Sequence, residues 1–197
     1  MSRGHTIYCF MSVPPIYFIV GAPASGKSTA AKALARRFAK CIVIPVDEVR
    51  EFVQSGLVLP SFDWSPALVE QLECARASVV AMAGAYRKAG FAVIIDDFYD
   101  QSGKLAEYSQ LVNEPNVHQV LLFPDPPVAQ ARQKARDGSG GYADVLFQAI
   151  VFLHGQYLAD MTGIIARGWH VIDTTCMTVE QTLDAIVATA SSRPQLS

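Results

Sequence analysis

The stretch "FIVGAPASGKST", residues 18–29, constrains the fold more than any other part of the chain. Gly21, Gly26, Lys27 and Ser28 complete the pattern G-x-x-x-x-G-K-[ST], behind an apolar run that predicts a strand and ahead of a helical pattern. Glycines let such a loop curl until successive amide hydrogens point inward at phosphate oxygens. The helix that follows adds the positive end of its dipole. Gly21, Ala22, Pro23, Ala24, Ser25, Gly26, Lys27, Ser28 and Thr29 are therefore expected around a nucleotide's phosphates. Lys27 is expected at the β- and γ-phosphates, and the Ser28 hydroxyl on Mg²⁺.

The rest of the chain alternates short β-rich runs with long helical patterns, the order that builds a parallel α/β sheet covered by helices on both faces. Five runs read as buried strands: 16–20, 41–46, 91–95, 118–123 and 169–173. A first helix follows Lys27, with Ala31, Leu34, Ala35, Phe38 and Ala39 on its apolar stripe. Ser65-Pro66 caps a second, with Leu68, Leu72, Ala75, Val79, Met82 and Tyr86 inward and Gly90 at its end. Asp125-Pro126 starts a third in the same way. Residues 143–166 read as one further helix, with Leu146, Ile150, Leu153 and Tyr157 on one side. Thr178 and Gln181 form a capping box for the last. These elements outline one domain over residues 14–190, with a small lid at about 125–142, an N-terminal tail over 1–13 and a C-terminal tail over 191–197. Met11 is an alternative start within that first tail.

Composition narrows the partners. A net charge of −2 lacks the basic excess of a long nucleic-acid footprint. No apolar run reaches the ~18 residues that a membrane span needs. Cys9, Cys41, Cys74 and Cys176 show no metal-ligand spacing, so reduced thiols and a cytoplasmic setting are expected. Monomer and homodimer both stay open.

The chemistry follows from what surrounds the phosphate loop. A guanine-reading Asn-Lys-x-Asp element is missing from the sequence. The strand ending "VIIDDF" also lacks the adjoining glutamate that activates water in mechanical ATPases. Phosphoryl transfer onto a bound hydroxyl is the remaining expectation. Asp47 in "IPVDEVRE" falls just past the second strand, where ligands collect in open α/β sheets, and suits the base that takes the hydroxyl proton. Arg50, three residues on, suits an anionic group of the acceptor. Asp96 is expected to meet Mg²⁺, while Asp97, its neighbour in an extended chain, points the other way, towards the acceptor. Arg132 and Arg136 share a helix face from which arginines can neutralise the charge moving between β- and γ-phosphate, and "DGSGG" after them suits a closing lid. Phe62, Trp64 and Tyr99 are candidate pocket aromatics, and His154 reads as a packed histidine rather than a catalytic one.

In this order, the phosphate loop, "VDEVR", "VIIDD", the R-x-x-x-R pair and "VIDTT" resemble the P-loop kinase group that includes zeta-toxin-type kinases, polynucleotide 5′-hydroxyl kinases and chloramphenicol phosphotransferase. The resemblance covers roughly residues 14–190. It implies a three-layer P-loop NTPase fold, an AAA-type ATP-binding domain with strand order 2-3-1-4-5. It implies ATP and Mg²⁺ as cofactors, Lys27, Asp47, Arg132 and Arg136 as catalytic groups, and Asp173 and Thr175 bordering the adenine. Where polynucleotide kinases commonly continue the strand-three aspartate with threonine and asparagine, this chain has Asp97-Phe98-Tyr99. A small-molecule hydroxyl is thus the favoured acceptor. A polynucleotide 5′-hydroxyl or a nucleotide-sugar is the alternative, and a nucleotide-dependent binding or regulatory module with slow ATPase activity is the alternative of another class.

Overall fold

All six residues of β1 (Ile16–Gly21) are buried, and the other elements are arranged to cover both of its faces. The computed structural model describes residues 13–61, 64–99, 105–138 and 140–191. The expected tails, the alternative start at Met11, Cys9 and Phe62 lie outside these residues, apart from Val13 and Ser191. In chain order, β1 is followed by α1 (Lys27–Ala35), β2 (Cys41–Pro45), α2 (Val46–Arg50), α3 (Pro66–Lys88) and β3 (Ala92–Asp97). A 3₁₀ turn over Ala106–Tyr108, α4 (Ser109–Val112), β4 (Val117–Leu122), α5 (Pro126–Asp137), α6 (Tyr142–Ala159), α7 (Met161–Ala166), β5 (His170–Ile172) and α8 (Val179–Ser191) complete the fold. The five strands are all parallel, in the order β2-β3-β1-β4-β5, with Ile19 in register with Asp96 and Val20 with Asp97.

Successive side chains of a strand point to opposite faces, and this parity divides the core in two. Tyr17, Ile19 and Ile94 pack with Ala30, Ala31 and Leu34 of α1 and with Leu183 and Ile186 of α8. Ile16, Phe18, Val20, Val93 and Ile95 pack on the other side, with Val79 and Ala83 of α3, Tyr157 of α6 and Ile164 of α7. Two predicted caps are formed as expected. Ser65 Oγ accepts from the Leu68 amide at 3.3 Å, and Thr178 and Gln181 exchange reciprocal bonds of 2.8 and 3.2 Å.

Parity also sends the carboxylates that end β3 to different layers. Asp97 enters the α3 side, where Arg76 Nε donates to it at 2.9 Å and Tyr108 Oη at 2.8 Å. The Phe98 amide donates to its other oxygen at 2.7 Å. Burial pushes the Asp97 carboxyl up, and Arg76, Tyr108 and Phe98 act against that push. Glu107 lies on the far side of the Arg76 guanidinium at 3.3 Å. Arg76 occupies the inward stripe of α3, between Leu72 and Val79, at a position the apolar periodicity does not distinguish.

Several expected boundaries shift for local reasons. The first helix stops at Ala35 because Arg37 and Phe38 close i→i+3 bonds onto Leu34 and Ala35, which turns Phe38 back towards Tyr17. The single helix expected over 143–166 breaks at Asp160, whose backbone leaves the helical region and whose carboxylate pairs with Arg167. Tyr86 is 39% exposed rather than inward, and its ring meets Phe91 edge-on.

Removing one partner of a buried ion pair leaves an uncompensated charge and costs about 3–5 kcal/mol. Arg76→Met is expected to lower the unfolding free energy in urea by that order. Adding Asp97→Asn to the same chain is expected to recover part of the loss. A loss confined to a few tenths of a kcal/mol would show that the pair contributes little.

Candidate active site

The loop between β1 and α1 has no spare room at its first glycine. A Cβ on Gly21 would lie 2.5 Å from Ser25 Oγ and 2.8 Å from the Leu122 carbonyl oxygen. Ala24 and Gly26 both take left-handed backbone conformations, with φ of 55° and 96°. Alternating handedness of this kind turns consecutive amides into one concavity, the arrangement that binds anions. The helix α1 then begins with no side-chain cap and no acidic residue in its first turn. Its leading amides are thus left for a ligand, and no carboxylate competes with an incoming phosphate.

On the α1 side of β3, Asp96 meets the loop. Burial pushes its carboxyl above the ordinary carboxylate range, the charge of Lys27 and a hydrogen bond from Ser28 draw it down, and Asp47 raises it again. These four residues, far apart in sequence, thus share one electrostatic neighbourhood. Asp96 Oδ1 is buried without a hydrogen-bond partner among the described residues. A buried carboxylate oxygen with spare capacity, beside a serine hydroxyl at the mouth of an anion-binding loop, suits Mg²⁺, which takes hard oxygen ligands and keeps much of its shell from phosphates and water.

A cavity of about 340 Å³ opens beside this cluster, lined by Lys27 and Ser28 from the loop, Asp47 and Arg50 from α2, and Arg136 from α5. Asp47 and Arg50 are one helical turn apart on α2, so a single short helix delivers both. Arg50 is 95% buried (5% exposed), and its guanidinium donates through Nη1 to the Val58 carbonyl at 2.7 Å while Nε has no partner among the described residues. Arg136 is tied to Asp137 at 3.0 Å and to Gln133 at 2.7 Å, at the end of α5 just before Gly138. Trp64, Leu68, Leu72 and Phe98 form one wall, and Val145, Leu146, Ala149, Phe152 and Leu153 of α6 form another.

The remaining expected residues divide. Arg132 does not line this cavity. Its Nη2 donates to the Thr174 carbonyl at 3.0 Å and its Nη1 approaches the Ser25 carbonyl at 3.5 Å, which ties the phosphate loop to the segment after β5. In that segment the Thr175 amide donates to Asp173 at 2.9 Å, and the Asp125 amide donates to Thr175 Oγ1 at 2.9 Å. The Thr175 bonds hold the Asp173 carboxyl below its usual value. Asp97 is corrected: its oxygens are taken by Arg76, Tyr108 and Phe98, and it is not among the cavity-lining residues, so no group is left for an acceptor. Tyr99 is likewise corrected from pocket to core, its ring edge-on to Tyr157 and Trp169 and its hydroxyl accepting from Arg167. Trp64 does line the cavity. His154 stacks on Phe123 at 4.2 Å, consistent with a packing role. Phe98 and the α6 wall were missed. Their signal was present in α6, whose apolar residues exceed what one core-facing stripe requires.

The family described as AAA domain matches residues 16–150, more than half the chain. No curated protein matches the chain by sequence. Among solved structures, a sugar kinase from Janibacter sp. HTCC2649 is similar at 16% identity and a TM-score of 0.59, with 92% of this chain and 96% of that one covered. A shikimate kinase from Bacteroides thetaiotaomicron gives 16% identity, a TM-score of 0.60 and coverage of 88% and 95%. A tunicamycin resistance protein from Deinococcus radiodurans gives 18%, 0.59, and 89% and 94%. At these identities the likeness is one of fold, and it bears out the P-loop kinase architecture with helices on both sheet faces.

The charge of Lys27 is the leading influence that holds the Asp96 carboxyl down. Lys27→Met is therefore expected to move the Asp96 titration to still higher pH, as followed through its carboxyl carbon by NMR. The same group binds a cation only when deprotonated, so Mg²⁺ affinity is expected to fall as pH drops through that raised value. A titration unmoved by Lys27→Met would separate the two residues.

Proposed function

Since the chain belongs to the AAA domain family, we propose that it is an ATP-dependent kinase that moves the γ-phosphate of ATP to the hydroxyl of a small molecule. The observation that carries this reading is the single cavity shared by Lys27 and Ser28 of the phosphate loop with Asp47 of α2. Phosphate-holding groups and a proton acceptor are then available to one pair of reactants. In phosphoryl transfer the protein's work is largely positioning and electrostatic stabilisation. The amides of the loop and Lys27 hold the β- and γ-phosphates, and Ser28 and Asp96 would hold Mg²⁺. When bound, Mg²⁺ supplies neutralisation of the β,γ charge.

Asp47 receives the proton of the acceptor hydroxyl as that oxygen bonds to the γ-phosphorus. The bond from the γ-phosphorus to the β–γ bridging oxygen breaks in the same transfer, and ADP carries away the electron pair. Arg136, next to the Gly138 turn that ends α5, is the cation a lid movement would bring onto the transferring phosphate. Arg132 acts from behind: by tying Ser25 to Thr174 it keeps the phosphate loop against the segment where Asp173 and Thr175 would border the adenine. Arg50 positions the acceptor. The exposure of Asp47, on the cavity side of a short helix, suits a base that must meet a diffusing alcohol. A cytoplasmic setting goes with this reading. Cys41, Cys74 and Cys176 are unbridged, and burial pushes the Cys41 thiol up to about 12, far from reactive thiolate.

Positioned acid–base groups contribute typically about 10²–10⁴-fold to rate. Asp47→Asn is expected to lower acceptor-dependent ADP release by that order while ATP affinity, measured by nucleotide titration, stays unchanged. Unaltered turnover in this variant removes Asp47 from the chemistry. ATP consumption that no hydroxyl compound accelerates would instead favour a regulatory module with slow hydrolysis.

A further inference from the structure

The charged groups Lys27, Asp47, Arg50, Glu51 and Arg136 line the cavity together with Ser28 and Ser61, and the rest of its lining is apolar. One wall is built by Trp64, Leu68, Leu72 and Phe98, and the other by the α6 stripe of Val145, Leu146, Ala149, Phe152 and Leu153. The spacing of that stripe is helical, and it is rotated from the side of α6 that buries Ile150 and Tyr157 in the core. The helix α6 therefore presents a broad apolar side that runs from the core to the cavity, with Leu153 shared by both. On the cavity side of α6, Val145 and Phe152 are 36% and 41% exposed, while Leu153 is also packed in the core.

Trp64 adds an independent observation. Its backbone is left-handed, with φ of 46°, a conformation that a bulky residue rarely adopts. Strained positions of this kind persist where the surroundings hold them, and they gather at ligand sites. The strain places the indole on the cavity wall, 6.3 Å from the ring of Phe98. Phe98 is itself held from behind by the Arg76 guanidinium, 5.4 Å from its ring centroid. The rings of Trp64 and Phe98 and the apolar side chains of α6 together line a space that suits a compact apolar body.

Such walls select against polyols. Each hydroxyl of a sugar, cyclitol or nucleoside that faced Leu68, Leu72 or Leu146 would lose its bonds to water and gain none. We infer that the acceptor is an alcohol carried on an apolar, aromatic or alicyclic body, with its hydroxyl at Asp47. The cavity volume of about 340 Å³ lies within the range of small-ligand sites, about 300–1,000 Å³. The preference for an apolar body stands on the walls alone; the fate of the bound alcohol rests on the kinase reading.

Binding and turnover separate the two ideas. Of the two tryptophans, Trp169 is buried in the core, so a fluorescence change on ligand addition reports on Trp64. With the full chain, 2-phenylethanol and 1-adamantanemethanol are expected to shift that signal, and gluconate, shikimate and thymidine to bind about 100-fold more weakly. Leu146→Asn is expected to weaken the apolar probes about tenfold or more. Phe152→Gln, at a partly exposed position that tolerates a polar side chain, should do the same if Leu146→Asn does not fold. Equal or tighter binding of the polar compounds, or no response to either apolar alcohol, overturns the inference. ADP release that gluconate, shikimate or thymidine accelerates while the apolar alcohols do not overturns it too, and leaves the kinase reading intact. Apolar alcohols that bind as expected yet never accelerate ADP release uphold the cavity's preference and count against the kinase reading.

Discussion

The last two residues of β3 are both aspartates, and an extended strand must send them to opposite faces. Much of the molecule follows from that constraint. Two adjacent carboxylates at the end of a buried strand need different partners, because no single cation can serve both sides of a sheet. On one side Asp97 recruits Arg76 and Tyr108, which pins α3 and the 3₁₀ turn to the edge of the core. On the other side Asp96 is left with Ser28 and the charge of Lys27, so its spare oxygen faces the phosphate loop. One carboxylate is therefore saturated and structural, and the other is unsaturated and available.

The electrostatics of the site follow the same division. Burial alone would neutralise both groups, since a desolvated carboxylate rises in pKa. At Asp97 a guanidinium and a phenol offset that tendency with hydrogen bonds already in place. Both carboxyls nevertheless stay raised, and what sets Asp96 apart is an oxygen with no hydrogen-bond partner among the described residues. The phosphate loop has a matching incompleteness: an uncapped helix start and inward amides that call for an anion. Cation and anion needs lie side by side, which is the arrangement a metal–nucleotide pair satisfies at once.

Local chemistry explains which parts of this were legible beforehand. The phosphate loop was readable because its residues are contiguous and its requirements are steric: Gly21 abuts the backbone of β4, and Gly26 takes a left-handed φ. The caps at Ser65 and Thr178 were readable for the same reason, since each is satisfied within three residues. Asp47 and Arg50 were readable because one helical turn joins them. Asp97 was misassigned because strand parity says which way a side chain points but not what waits there. Arg76 sits in an apolar stripe as if it were solvated, and only the packed sheet shows it to be buried. The walls of the cavity come from segments after β2, β3 and α5, and the packing of those segments has no local signature. The break at Asp160 depends on Arg167 and Tyr99, contacts that no periodicity contains.

The sequence by itself determined that a phosphate-loop pattern follows the first strand, that a parallel sheet with covering helices surrounds it, and which carboxylate follows the second strand. Those features rest on interactions spanning a few residues, so their geometry is written into the order of side chains. Only the tertiary structure decided which of two neighbouring aspartates keeps an unpartnered oxygen among the described residues, that Arg136 and not Arg132 lines the cavity, and that much of the space beside Asp47 is lined by apolar side chains. Each of these depends on what a distant segment brings to the same place, and burial, charge pairing and cavity shape exist only once the segments have met.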